Sequence, residues 1–177
     1  MVTWTSTGMN TTATSALKSA GADSWTNAIA YTDQSLTAVT GQPKYTSYPN
    51  GPLLALTSSP SSVSNAKNDS DFAFVGRGTA DKVGIFENGV QQGSDYDYSD
   101  STTMEIKHTT SDVEYYIGGV LKRTVATTVS SLYGLVSAYE GTTSNDPNGY
   151  EDMTFTEGTP PSSDTVLLPP EPAMVRL

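Results

Sequence analysis

The sequence predicts an all-β protein, an antiparallel β-sandwich of the jelly-roll kind. Apolar side chains recur at every second position in short runs, and Gly, Asn, Asp and Ser separate the runs. Helical periodicity is scarce. The stretch "SDVEYYIGGVLKRT" (111–124) shows the pattern at its clearest. Val113, Tyr115 and Ile117 share one face of a strand, with Glu114 and Tyr116 on the other. Gly118-Gly119 then supplies a two-residue turn before Val120 and Leu121. One tyrosine is therefore expected in the core and the other at the surface.

The remaining strands follow in order. "VTWTS", "WTNAIAYT", "PKYTSY" and "GPLLALTS" fill the first third of the chain. "DFAFVGRG" sets Phe72 and Phe74 on one face, and "KVGIFENG" does the same for Val83 and Ile85 before the hairpin signal Asn88-Gly89. "TTMEIKHT" alternates through Met104, Ile106 and His108. "SLYGLVSAYEG" and "GYEDMTFTEG" close the sandwich. "TSALKSAGADS" is the best helical candidate, but Gly21 ends it so soon that a loop or single turn is expected. The domain is expected over 1–157. Residues 158–177 form a different region, in which Pro160, Pro161, Pro169, Pro170 and Pro172 favour an extended conformation. That tail is either a linker or an arm whose Val166, Leu167 and Leu168 dock on a larger assembly or another copy of the chain.

Composition narrows the function. The 177 residues suffice for a sizeable core without a staple, and the absence of Cys excludes disulfides, thiolate catalysis and Cys-ligated zinc. A net charge of −10 repels phosphate, so nucleic acid is not an expected partner. No apolar run is long enough for a membrane span, so membrane insertion is not expected. The start "MVTWTSTGMN" lacks a secretory pattern, which leaves removal of a leader or another route out of the cell. Abundant Ser and Thr suit β-structure and an extracellular or virion-surface location. Asn10 and Asn68 open glycosylation sequons, which matter only on a eukaryotic secretory route.

Several segments resemble the concanavalin A-like lectin/glucanase superfamily, in particular its bacterial and viral lectin-like modules. "VTWTS" and "SWTNAIAYTDQSL" are similar to its paired Trp strands, with Trp25, Ala28, Ala30 and Gln34 in comparable places. "VGIFENGV" with Glu87 and Gly89, the hairpin "VEYYIGGVLKRT" and the closing "EDMTFT" follow in the same order. Gly118 stands where the family usually has Asn, and Asp100 lies two residues from where an Asp is usual. The resemblance covers about residues 2 to 157 and implies a sandwich that binds carbohydrate.

Glycosidases of that superfamily carry E-x-D-x-x-E on one strand, which places their carboxylates about 5–5.5 Å apart for retaining hydrolysis. No such spacing occurs here: Glu105, Glu114, Glu140 and Glu151 fall on different expected strands. The expectation is therefore that the chain is not an enzyme. His108 is the single histidine and is in phase with apolar neighbours, which points to packing; a pair with Tyr115 or Tyr116, as the resemblance to alginate lyases would imply, is the alternative. "GSDYDYSDS" sets Asp95, Asp97 and Asp100 close enough to hold calcium, although such turns are also formed by solvated Asp alone. Ten tyrosines against four phenylalanines favour rings that stack yet stay wet. Tyr45, Tyr48, Tyr96, Tyr98, Tyr139 and Tyr150, with Asn145 and Asn148, are the candidate glycan-binding residues. The expected function is non-catalytic glycan attachment on a virion, tail fibre or cell surface. The alternatives are a structural sandwich of a capsid or extracellular assembly, and a polysaccharide-cleaving enzyme.

Overall fold

The computed structural model describes residues 2–19, 24–44, 51–77, 81–99, 101–139 and 148–158. Tyr45, Tyr48, Asp100, Asn145 and the tail beyond Gly158 lie outside the described residues. Among the described residues thirteen strands pair in antiparallel fashion. They are β1 (Trp4–Thr7), β2 (Met9–Thr11), β3 (Ala16–Lys18), β4 (Ile29–Lys44), β5 (Pro52–Thr57), β6 (Phe72–Gly76) and β7 (Lys82–Glu87). The rest are β8 (Val90–Asp97), β9 (Met104–His108), β10 (Asp112–Ile117), β11 (Val120–Ala126), β12 (Tyr133–Ala138) and β13 (Gly149–Glu157). One short helix, α1 (Ala66–Asp69), follows a 3-10 turn at Pro60–Ser62. Among the described residues no helix is long and apolar enough to cross a membrane.

The strands make two layers joined by β4. Its first half pairs with β1 and β12, in a sheet ordered β1-β4-β12-β5-β6-β7-β8. Its second half pairs with β9 and β13, in a sheet ordered β11-β10-β9-β4-β13-β3-β2. The expected all-β sandwich is therefore the observed architecture. Leu54, Leu56, Phe72, Phe74, Val83 and Ile85 of the first sheet meet Met104, Ile106, Val113, Tyr115, Ile117 and Met153 of the second. Phe74 and Tyr115 join the layers edge to face, their ring centroids 5.3 Å apart. Tyr115 donates its hydroxyl hydrogen to the Phe86 carbonyl oxygen at 3.3 Å, which satisfies a polar group buried in the core. Tyr116, its neighbour, faces outward, as the alternation requires.

The first sheet is covered on its outer face as well, which explains why β5, β6 and β7 are nearly continuous apolar runs rather than alternating ones. There Trp25, Leu53, Ala55, Ala73, Val75, Phe86 and Leu135 form a second, smaller core with Ala66 of α1. Residues 58–71 make the cover and are tied down by carboxylates. Asp71 Oδ2 accepts from the Ser58 amide at 2.6 Å, and Asp69 Oδ2 accepts from the amides of Ser64 at 2.8 Å and Asn65 at 2.7 Å.

Three elements differ from expectation. The loop or turn expected around Ala16 contains β3, because Ala16 and Leu17 pair with Tyr150 and Gly149 of a distant strand; long-range pairing outweighs a weak local pattern. β4 runs on through Gln34–Gly41, where the buried Leu36 and Val39 are three residues apart and break the two-residue period as the strand changes sheets. The acidic turn expected at 93–101 lies in β8 as far as Asp97, on an edge strand whose ladder with β7 slips between Val83 and Ile85. Both expected hairpin turns form: Asn88-Gly89 and Gly118-Gly119 take the left-handed backbone that two-residue turns demand.

Candidate functional site

The first half of β4 alternates cleanly. Ala28, Ala30 and Thr32 are buried, while Ile29 and Tyr31 turn to the outer face of the first sheet and pack at the margin of the smaller core. Two further steps along that face bring Asp33 to the surface. Tyr31 stands opposite Thr5 of β1 on one side and Leu135 of β12 on the other. Tyr133, two places before Leu135, stands opposite Ser35 and Thr57. Two tyrosines and a carboxylate from neighbouring strands a hundred residues apart in sequence thus share one end of the sheet's outer face.

The 3-10 turn closes this edge into a groove. Pro60 starts the turn, and Ser62 ties it by donating its amide and its hydroxyl to the Ser59 carbonyl, at 3.1 and 2.9 Å. The result is an open hollow of about 600 Å³ lined by Tyr31, Asp33, Tyr133 and Ser58 to Ser62. A second hollow of about 270 Å³ adjoins it, lined by Thr5, Thr7, Thr26, Tyr31 and Ser61 among others. Tyr31, Pro60 and Ser61 border both, so the two hollows make one trough bent around the turn.

The trough is rich in groups that can bind hydroxyls. The phenol groups of Tyr31 and Tyr133 have no hydrogen-bond partner among the described residues. Asp33 Oδ1 accepts from Thr5 Oγ1 at 2.8 Å, which anchors a carboxylate that lines the trough. Thr32, by contrast, is spent internally: its hydroxyl donates to the Gln34 carbonyl at 2.8 Å and accepts from the Gly134 amide at 3.0 Å. Aromatic faces beside fixed acceptors and rotatable hydroxyls suit a ring bearing several OH groups, which offers apolar C–H faces and polar edges.

Among the described residues, the expected glycan-binding side chains do not form one exposed site, while Tyr45, Tyr48 and Asn145 lie outside the described residues. Tyr150 is 1% exposed in the main core, opposite Ala16 and Pro43, and burial holds its hydroxyl well above its ordinary pKa. Tyr98 is also buried, and Asn148 is fully buried with its carbonyl accepting the Lys18 amide at 2.8 Å. These three are corrected to core positions, since a buried ring or amide offers no surface to a sugar. Tyr139 packs against Trp25 in the smaller core, with ring centroids 5.4 Å apart and planes tilted by 60°. Tyr96 is half-buried on β8, with Lys122 Nζ 5.8 Å from its ring centroid. Of the expected calcium ligands, Asp97 is bonded to Lys82 and Asp95 accepts from Gln91 Nε2 at 2.7 Å with Arg77 at 3.6 Å. Among the described residues no group of three or more metal-capable side chains is found. His108 is packed in the core, 3% exposed.

Tyr31 and Tyr133 were missed by sequence reasoning. A signal existed in "AIAYTDQ", where small Ala28 and Ala30 alternate with larger Ile29, Tyr31 and Asp33 and so mark which face leaves the core. Nothing local, however, shows that Tyr133 sits beside it.

Comparison with known proteins bears on this geometry. No protein-family model and no curated protein matches the chain. Solved structures do. A legume lectin-like domain from Entamoeba histolytica matches with a TM-score of 0.56 at 8% identity, covering 88% of this chain and 90% of that one. An alginate lyase of polysaccharide lyase family 7 matches with a TM-score of 0.54 at 16% identity, covering 89% of this chain and 77% of that one. The chain has the concanavalin A-like fold. A β-glucanase from Bacillus licheniformis matches with a TM-score of 0.50 at 12% identity, over 88% of this chain and 92% of that one. At these identities the likeness is one of fold. The same comparison overturns the expectation that the concanavalin A-like chain is not an enzyme. Its fold neighbours include an alginate lyase and a β-glucanase, so this fold also carries catalysis.

Proposed function

We propose that this concanavalin A-like domain binds polysaccharide in the trough formed by Tyr31, Tyr133, Asp33 and the Ser58–Ser62 turn. The observation that carries the reading is the pairing of two unengaged tyrosine hydroxyls with an anchored carboxylate in an open hollow of about 600 Å³. Such a hollow, continued past the turn by a second one, suits several linked sugar units better than a single free one. A polysaccharide ligand would be met outside the cell or on a virion surface, and that location belongs to the same proposal.

A second reading, cleavage of the bound chain, is favoured by Asp33, which lies with the two phenols where a sugar would sit. A carboxylate and phenols are groups able to accept and donate a proton at a reacting centre. One experiment addresses both readings. Affinity electrophoresis in gels containing β-glucan, alginate or agarose should retard the protein in at least one gel, and Tyr133→Ala should weaken that binding about tenfold. The same polymers are incubated with the protein and assayed for new reducing ends and unsaturated products. Release that is lost in Asp33→Asn supports cleavage. Absence of retardation in every gel overturns the proposed binding.

A further inference from the structure

The outer face of the first sheet carries another constellation, on the far side of the cover from the trough. Two cations lie against the ring of Phe86 in β7: Lys67 Nζ at 5.2 Å from the centroid and Arg77 Cζ at 5.5 Å. The negative face of an aromatic ring attracts such groups. Gly84, on the same strand face, makes the convergence possible. A Cβ there would come within 2.9 Å of Phe86 Cε2 and 3.1 Å of Asp95 Oδ1. The slipped ladder between β7 and β8 lies beside this point, and such irregularities re-aim side chains. Asp95 reaches the cluster there.

The charges do not balance. Arg77 Nε is 3.6 Å from Asp95 Oδ1, buried and without a hydrogen-bond partner among the described residues. Asp95 Oδ1 is shared with Gln91 Nε2 at 2.7 Å. Lys67 has no carboxylate partner among the described residues, whereas Lys44, Lys82 and Arg123 each pair with one. Asp95 thus answers Arg77 alone and Lys67 keeps an unpaired charge, in a chain whose net charge is −10. Electrostatic repulsion from the rest of the surface fades beyond roughly 8 Å at physiological salt, so an acid group that reaches Lys67 meets chiefly that unpaired charge.

We infer that Lys67 and Arg77 form a subsite for an acidic sugar unit, so that the polysaccharide is an anionic one bearing carboxylate or sulfate. This rests on the binding proposed above. The Lys67 ammonium and the Arg77 guanidinium donate charge-assisted hydrogen bonds to the acid group, and Phe86 holds both cations toward it. Tyr31 and Tyr133 stand on β4 and β12 and Phe86 on β7 of the same sheet, with β5 and β6 between them. A polymer can engage both.

The test measures affinity of the intact protein for a polyuronate, a sulfated dextran and unmodified dextran, at low and at high salt. At low salt an acidic polymer should bind about tenfold tighter than dextran, and high salt should erase that preference. Carboxylate and sulfate are told apart by which acidic polymer binds better. Lys67→Gln should weaken acidic binding about tenfold without moving the thermal midpoint, and Lys67→Arg should restore it. If the lysine and arginine stems only shield Phe86, Lys67→Gln lowers the midpoint and leaves binding unchanged, which overturns the inference. Equal binding of neutral dextran, lost in Tyr133→Ala but not in Lys67→Gln, overturns the acidic subsite while leaving the trough intact. Failure of every polymer to bind overturns both.

Discussion

Arg123 of β11 clasps Glu87 of β7 across the open side of the sandwich, Nε to Oε1 at 2.6 Å and a terminal nitrogen to Oε2 at 2.9 Å. The same guanidinium reaches Gln92 Oε1 of β8 at 3.2 Å. β8 and β11 are the last strands of their sheets, so this fork joins two layers where no backbone ladder can. Glu87 is 12% exposed on its side chain and Arg123 35%, which places the pair between a surface bridge and a buried one.

Removing the arginine leaves a largely buried carboxylate without its partner. Arg123→Ala should cost about 2 kcal/mol of stability, read from urea unfolding. Arg123→Lys keeps the charge but not the two-pronged geometry, and should recover less than half of the loss. A full recovery would show that charge alone, without the fork, joins the layers.

Tyr115 supplies a second test of the core. Burial is the main cause that pushes its hydroxyl pKa far up, with the Glu87 charge adding to it. Burial does the same for Tyr150. In the unfolded chain both would ionise near pH 10. The stabilising contribution is therefore complete below that pH and is lost as pH climbs through and above it, toward the folded values. Absorbance titration should show two phenols that ionise only when the fold opens, in the same step as the loss of near-ultraviolet dichroism. Tyr115→Phe should cost about 1 kcal/mol through the lost bond to the Phe86 carbonyl.

The fold was legible because its strands are short and nearly all carry their own period. Val113, Tyr115 and Ile117 declare an inward face without help from elsewhere. β4 was half visible: Ala28 and Ala30 mark its start, but Leu36 and Val39 are spaced by three, so the stretch that changes sheets loses the two-residue period. The trough was not legible at all. It depends on the register that sets Tyr31 opposite Leu135 and on a serine-rich turn folded over both, neither of which any local pattern encodes. Tyr150 misled for the converse reason: it flanks a polar loop in sequence, while pairing buries its ring.

Asp69 links the cover to the trough. Its Oδ2 accepts from the Ser64 amide, the Ser64 hydroxyl at 3.0 Å and the Asn65 amide, and the two backbone bonds are the largest causes holding its pKa below the ordinary value. A lowered carboxylate pKa stabilises the fold above the unfolded value and loses that effect as pH falls through the folded one. Asp69→Ala should loosen residues 58–71 first, seen as faster amide exchange at Ser64 and Asn65 and, where sugar binding is measured, as a weaker trough. Unchanged exchange in that segment would show that the smaller core alone holds the cover.

His108 is the group whose titration should set the acid limit of stability near neutrality. It lies in the core on β9, opposite Val113, with Nδ1 lacking a partner among the described residues. Burial is the larger influence and lowers its pKa; the hydrogen bond to the Val129 backbone opposes this in part. The unfolded chain therefore takes up a proton near pH 6.5, where the folded chain does not. Stability is complete above that pH and declines as pH falls through 6.5 toward the folded value, by at most about 1.4 kcal/mol per pH unit. Asp69 acts only in a lower range, because its ordinary value is 3.8 and its shift is downward. Thermal midpoints measured from about pH 7.5 down to about pH 5 should fall for the native chain and stay flatter for His108→Gln. Parallel declines would assign the acid sensitivity to carboxylates instead, and would mean that a proton enters the His108 pocket without opening the sandwich.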